Sequence, residues 1–155
     1  PLLHANFFES FLPKLTASGL KVYLETNGAL PNHLKSVLPW IDLIAMDMKL
    51  PSATACEPYW KEHRAFLKLV KEAGKSVFVK VVFSKETTVK EIEEGARLIQ
   101  EVDPSVPFVL QPVTPYGPIK TRPPRDLTLH LQALALRHGL NVRVIPQTHK
   151  IIGQL

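Results

Sequence analysis

Apolar positions along this chain alternate between two rhythms. Phe8, Leu12 and Leu15 share one face at helical spacing, which predicts a helix over residues 5–18, closed by Gly19. A short apolar run over 21–25 reads as a strand. The alternation then repeats, with helices over 31–38, 59–73, 88–102 and 127–138 and strands over 41–46, 76–83, 107–110 and 142–145. Tyr59, His63, Phe66, Val70 and Ala73 form one stripe of the third helix. Residues 76–83 are rich in β-branched and aromatic side chains. Thr88 and Glu91 have the spacing of a capping box, in which each side chain satisfies the other's terminal amide.

Three helix-to-strand joints read alike: Ser18-Gly19-Leu20, Ala73-Gly74-Lys75 and His138-Gly139-Leu140. Strands alternating with helices imply right-handed crossovers and a parallel sheet. No G-x-G-x-x-G fingerprint follows the first strand, so part of a (β/α) barrel is favoured over a dinucleotide-binding open sheet. The expected fold is α/β, a partial (β/α)6 barrel lacking its first strand, with a parallel sheet and outer helices, in a single domain over residues 1–155. No strand precedes the helix at Ala5, although a repeating strand–helix domain starts with one. The chain is therefore expected to be the C-terminal part of a longer protein, with an unpaired, association-prone sheet edge beside residues 21–25.

Composition narrows the class. Hydrophobic residues make up 45% of the 155 and charged residues 21%, which suits a globular domain with a sizeable core. No apolar run approaches the roughly 20 residues that span a bilayer. The single cysteine, Cys56, excludes an internal disulfide and any multi-cysteine metal site within the chain, and points to the cytoplasm. The net charge of +5 is spread over helix faces, with a looser group at Lys120, Arg122 and Arg125. That pattern suits a solvated surface, or attraction for a small anion. No aromatic residues interleave a basic stripe, which argues against nucleic acid.

Parallel α/β folds place ligands at the C-terminal ends of their strands. Those positions here hold Glu25-Thr26-Asn27-Gly28, Asp47-Met48-Lys49, the stretch 80–85, Gln111-Pro112-Val113-Thr114 and Gln147-Thr148-His149-Lys150. Each has a plainer reading. Asn-Gly suits any turn, and Asp47 with Lys49 could be a solvent-exposed ion pair of little energetic weight. The six histidines show no metal-site spacing, and Cys56 reads as a spare thiol. Their joint placement at five successive strand ends is what suggests a site.

These residues resemble a known family. Pro1-Leu2-Leu3 looks like the tail of the Gly-Gly-Glu-Pro motif of radical S-adenosylmethionine (SAM) enzymes. Leu24 to Gly28 resembles their second-strand motif. Residues 41–52, Leu110 to Thr114 and the ending Pro146 to Gly153 are more discriminating, and together they resemble the 7-carboxy-7-deazaguanine synthase family over essentially the whole chain.

The resemblance implies a lyase of the queuosine and deazapurine pathway. In such enzymes three cysteines hold a 4Fe–4S cluster, which reduces SAM to a radical acting on 6-carboxy-5,6,7,8-tetrahydropterin, with Mg²⁺ assisting. By position, Gly28, Asp47, Met48, Lys49, Gln111, Pro112, Val113 and Thr114 would contact SAM. Thr26 and the terminal carboxylate of Leu155 would contact the pterin. Relatives of this kind are commonly dimers, so a homodimer is the expected assembly, with no nucleic-acid or membrane partner.

The resemblance also implies that the cluster cysteines lie upstream of Pro1. No catalytic or metal-binding residue is therefore expected within the chain, and the chain alone is expected to be inactive. Two other readings remain: an activating enzyme for a glycyl-radical protein, which shares the Glu-Thr-Asn-Gly and Asp-x-Lys features, and a non-catalytic SAM- or nucleotide-binding remnant.

Overall fold

A computed structural model describes residues 1–54, 57–117 and 119–153. A 3-10 turn at Leu2–His4 leads into α1 (Ala5–Ala17), then β1 (Tyr23–Thr26), α2 (Pro31–Val37), a 3-10 turn at Leu38–Trp40, and β2 (Leu43–Asp47). Next come α3 (Pro51–Thr54), α4 (Trp60–Glu72), β3 (Ser76–Phe83), α5 (Val89–Val102), β4 (Phe108–Pro112), α6 (Arg125–Leu136), β5 (Val142–Val144) and α7 (Thr148–Ile151). Cys56 lies outside the described residues.

The five strands form one parallel sheet in the order β1-β2-β3-β4-β5. Each crossover therefore steps to the next neighbour in the same direction. That winding is barrel-like, because a doubly wound sheet would reverse its order partway. The predicted α/β class, partial barrel and outer helices all stand. β1 is one edge of the described sheet.

Side-chain alternation explains the layering. Leu24, Ile44, Met46, Val77, Val79, Val81, Phe83, Phe108 and Leu110 belong to one buried cluster with Leu34, Phe66, Leu67, Ile92, Ile99 and Leu131 of the helices. Successive helices touch one another, α1 with α2, α2 with α4, α4 with α5 and α5 with α6, so they form a single layer on that face. The residues of opposite parity, among them Glu25, Ala45, Asp47, Lys80 and Gln111, belong to the other, open face. Strand register lines up Asp47 with Lys80, and Lys80 with Val109.

Local signals behave as their chemistry dictates. Gly19, Gly74 and Gly139 close their helices at φ of 79°, 65° and 73°. The capping box forms, with the Glu91 amide donating to Thr88 Oγ1 and the Thr88 amide donating to Glu91. Among the described residues no helix is long and apolar enough to cross a membrane.

Candidate functional site

β1 ends in a turn that its own side chains hold. Thr26 Oγ1 accepts from the Gly28 amide at 3.4 Å, and Asn27 Oδ1 accepts from the Ala29 amide at 3.1 Å. Gly28 adopts φ +68°, and a Cβ built there would lie 2.7 Å from Met46 Cγ and 3.2 Å from His63 Cδ2. Glycine is thus required by packing against the core. Thr26 is itself buried.

Next to this turn, four charges share the open face. Lys49 Nζ donates to Asp47 Oδ2 at 2.7 Å, and Lys80 Nζ lies 3.7 Å from the same oxygen. Lys80 Nζ also donates to Glu25 Oε1 at 2.9 Å. Both lysines lean on Asp47 Oδ2, while Asp47 Oδ1 is buried with no hydrogen-bond partner among the described residues. Asp47 is 15% exposed, so the pair is not the fully solvated one its sequence spacing allowed.

Electrostatics keep Glu25 and Lys80 ionised. The hydrogen bond from Lys80, followed by its charge, holds the Glu25 carboxyl below the usual range. Burial works against the Lys80 ammonium, but the Glu25 hydrogen bond and the nearby Asp47 charge outweigh it and raise its pKa.

A cavity of about 490 Å³ opens here, lined by Glu25, Thr26, Asn27, Asp47, Lys49 and Tyr59 among others. Its lining offers the Lys49 ammonium for an anionic or carboxylate ligand, and the carboxylates of Glu25 and Asp47 for hydroxyl or ammonium donors. Met48 follows Asp47, but it is buried against Gly95 of α5. Only its backbone is left to a ligand.

The residues after β4 sit apart from that cavity. The Thr114 amide donates to Gln147 Oε1 at 2.8 Å, Gln111 Nε2 reaches the Pro146 carbonyl at 3.5 Å, and the Val113 amide donates to the Phe83 carbonyl at 2.9 Å. The Gln-Thr-His-Lys ending is therefore fastened to the strand end that precedes it, with Lys150 Nζ 3.8 Å from the centre of the Tyr116 ring. Val113 lines a second cavity of about 450 Å³, with Ser84, Lys85 and Lys120. Of the expected ligand contacts, Thr26, Asp47 and Lys49 thus come together, Gly28 lies in the turn beside them, and Gln111 to Thr114 form a separate group. Leu155 lies outside the described residues.

Glu25 and Lys80 stand among the strand-end positions read from the sequence, but not among the ligand contacts that the resemblance implies. The signal for Lys80 was a lone charge inside the apolar strand Ser76–Phe83, but its partners depend on register.

No family model matches the sequence. Among solved structures, a domain of pyruvate-formate lyase-activating enzyme from Bacteroides vulgatus superposes with a TM-score of 0.72 at 18% identity, covering 94% of this chain and 93% of that one. That likeness is one of fold. In sequence, the chain is 40% identical over 161 aligned positions to the 7-carboxy-7-deazaguanine synthase of Geobacter sulfurreducens, covering all of this chain and 60% of the relative. It is 27% identical to proteins of the same name from Thermococcus kodakarensis and Methanocaldococcus jannaschii, covering 60% and 64% of their lengths. Over its whole length the chain is similar to 7-carboxy-7-deazaguanine synthases, and it spans about three fifths of the length of these relatives.

Proposed function

We propose that this chain forms part of a radical SAM 7-carboxy-7-deazaguanine synthase and supplies the wall that holds SAM and the pterin. One observation carries the reading: in a chain similar to these synthases, Glu25, Thr26, Asp47 and Lys49 line one cavity at the strand ends, with Lys49 hydrogen-bonded to Asp47 and Lys80 bonded to Glu25.

SAM fits this donor set. Its amino-acid carboxylate suits Lys49, and its ribose hydroxyls or ammonium suit the Asp47 and Glu25 carboxylates. Lys80 bridges the Glu25 and Asp47 carboxylates and offsets their charge. Gly28, the backbone of Met48 and the Gln111–Thr114 segment complete the SAM contacts. Thr26 and Leu155 complete those to 6-carboxy-5,6,7,8-tetrahydropterin. When bound, SAM supplies one-electron chemistry, and the chain's own residues position ligands and keep water out.

A 4Fe–4S cluster does not fit this chain's residues. Three thiolates are needed and the sequence has one cysteine. Among the described residues, no group of three or more His, Cys, Asp or Glu could hold a metal ion. The cluster ligands are therefore assigned to other parts of the protein, with Mg²⁺ assisting in the complete enzyme, and no radical activity is expected of this chain by itself. A cytoplasmic homodimer acting on a small molecule, without nucleic acid, completes the reading.

The test is anaerobic incubation of the reconstituted complete gene product with SAM and 6-carboxy-5,6,7,8-tetrahydropterin. Formation of 7-carboxy-7-deazaguanine, read by mass spectrometry, supports the reading. SAM cleavage that instead installs a radical on a glycyl-radical protein would favour an activating enzyme. SAM binding with no cleavage would leave a binding remnant.

A further inference from the structure

His63 is the one histidine among the buried residues, and no ligand role touches it. It projects from α4 into the core and is fully buried. Its Nε2 lies 2.9 Å from the carbonyl oxygen of Asn27, in the turn that follows β1. A carbonyl only accepts, so Nε2 carries the proton and donates. That leaves Nδ1 as a bare acceptor, buried and without a partner among the described residues.

The ring also fills space. Its Cδ2 stands where a side chain on Gly28 would have to go, and Tyr59 and Trp60 meet it edge-on at 6.2 and 6.3 Å between ring centres. The turn's other hydrogen bonds, from Gly28 to Thr26 and from Ala29 to Asn27, are internal to it. They shape the turn but do not fix where it sits. The imidazole, by contrast, ties the Asn27 carbonyl to the helix layer. Glu25, Thr26, Asn27 and Ala29 line the 490 Å³ cavity, so the height of this turn sets the shape of that wall.

We infer that His63, as the neutral Nε2–H tautomer, is a positioning residue that holds the Thr26–Ala29 turn at the height the cavity requires. Its effect on ligand affinity rests on the SAM reading above; its effect on the turn does not. The geometry also explains why an apolar residue would not serve in this stripe. Phenylalanine or leucine could fill the space, but neither could satisfy the Asn27 carbonyl.

The test combines nitrogen-15 spectra of the protein with three substitutions. The wild-type ring should show Nε2–H and an unprotonated Nδ1. In H63Q the side-chain amide nitrogen reaches the place of Nε2, so the Asn27 and Gly28 amide resonances should stay near their wild-type positions, with SAM affinity within about threefold. H63L keeps volume without a donor, and should shift those resonances and weaken SAM binding by about tenfold. H63N, whose amide is too short to reach Asn27, should shift them too, and it decides the matter if H63L does not fold. An Nδ1–H tautomer in the wild type overturns the inference, as do turn resonances unmoved in H63L and H63N. If the wild type itself binds no SAM, the SAM reading fails, and the tautomer and turn resonances decide on His63 alone.

Discussion

The ammonium of Lys80 on β3 reaches across β2 to hydrogen-bond Glu25 on β1 at 2.9 Å. Register places Ala45 of β2 opposite Glu25, and Asp47 opposite Lys80. The small Ala45 leaves the route open, and Asp47 flanks it with a second carboxylate. Three strands are thereby joined through side chains on the open face, where the helices give no support. Two carboxylates this close would repel each other without the ammonium between them.

Replacing Lys80 with methionine should therefore raise the Glu25 pKa, because the hydrogen bond and charge that lower it are gone. A carbon-13 titration of the side-chain carboxyls would read this directly. The stability cost should stay near 1 kcal/mol or below, since Glu25 is largely solvated. An unchanged Glu25 titration would mean that the pair carries no electrostatic weight.

Glu91 joins the second strand-end loop to α5. Its Oε1 accepts from the Ser52 amide at 2.7 Å, while Oε2 accepts from the Thr88 amide and hydroxyl, both at 2.8 Å. Burial alone would raise its pKa, but these bonds outweigh it and hold the carboxyl low. Glu91→Ala should cost about 2 kcal/mol in urea unfolding, more than a cap alone, because the Ser52 amide also loses its acceptor. Glu91→Gln should fall between the two, since its remaining oxygen cannot serve both segments.

The capping box was legible in the sequence because it is local, with four residues stating both partners. The strand Ser76–Phe83 matched its predicted span because it combines a run of β-branched and aromatic residues with a clear glycine stop before it. By contrast, β1 begins at Tyr23 rather than residue 21. The Val22 amide is taken by the Asp42 carboxylate at 2.8 Å, a contact between two segments that neither announces. The four-residue helices α3 and α7 escaped because one turn has no periodicity to read. The site followed the same rule. Asp47 and Lys49, two residues apart, were visible as a pair, whereas Glu25 and Lys80 meet only through register. His63 stood in plain sight on an apolar stripe, but its partner at Asn27 is 36 residues away.

Gly28 and Gly74 offer a controlled comparison. Both have positive φ, +68° and +65°, but a Cβ on Gly74 meets nothing within 4 Å, while one on Gly28 collides with Met46. Gly74→Ala should cost about 1 kcal/mol, the backbone term alone. Gly28→Ala should cost that plus roughly 1–3 kcal/mol of overpacking. Equal costs in thermal or urea unfolding would show that Met46 and His63 yield freely, and that packing does not demand glycine at the site.

His63 also makes stability depend on pH. Burial pushes its pKa from 6.5 down to about 4, and the bond to the Asn27 carbonyl and the nearby charges of Glu62 and Asp47 offset this only in part. The folded state therefore favours the neutral ring, and between pH 6.5 and 4 the unfolded chain binds the extra proton. The contribution is fully present above about pH 6.5, falls as pH drops through that window, and levels off below the folded pKa. A depression of this size corresponds to about 3 kcal/mol at most. Urea midpoints measured from pH 7.5 to 4 should fall accordingly, and H63Q, which has nothing to protonate there, should show a shallower slope over the same range. Parallel slopes for wild type and H63Q would mean that the ring reaches solvent on protonation, and that the turn it holds opens at little cost.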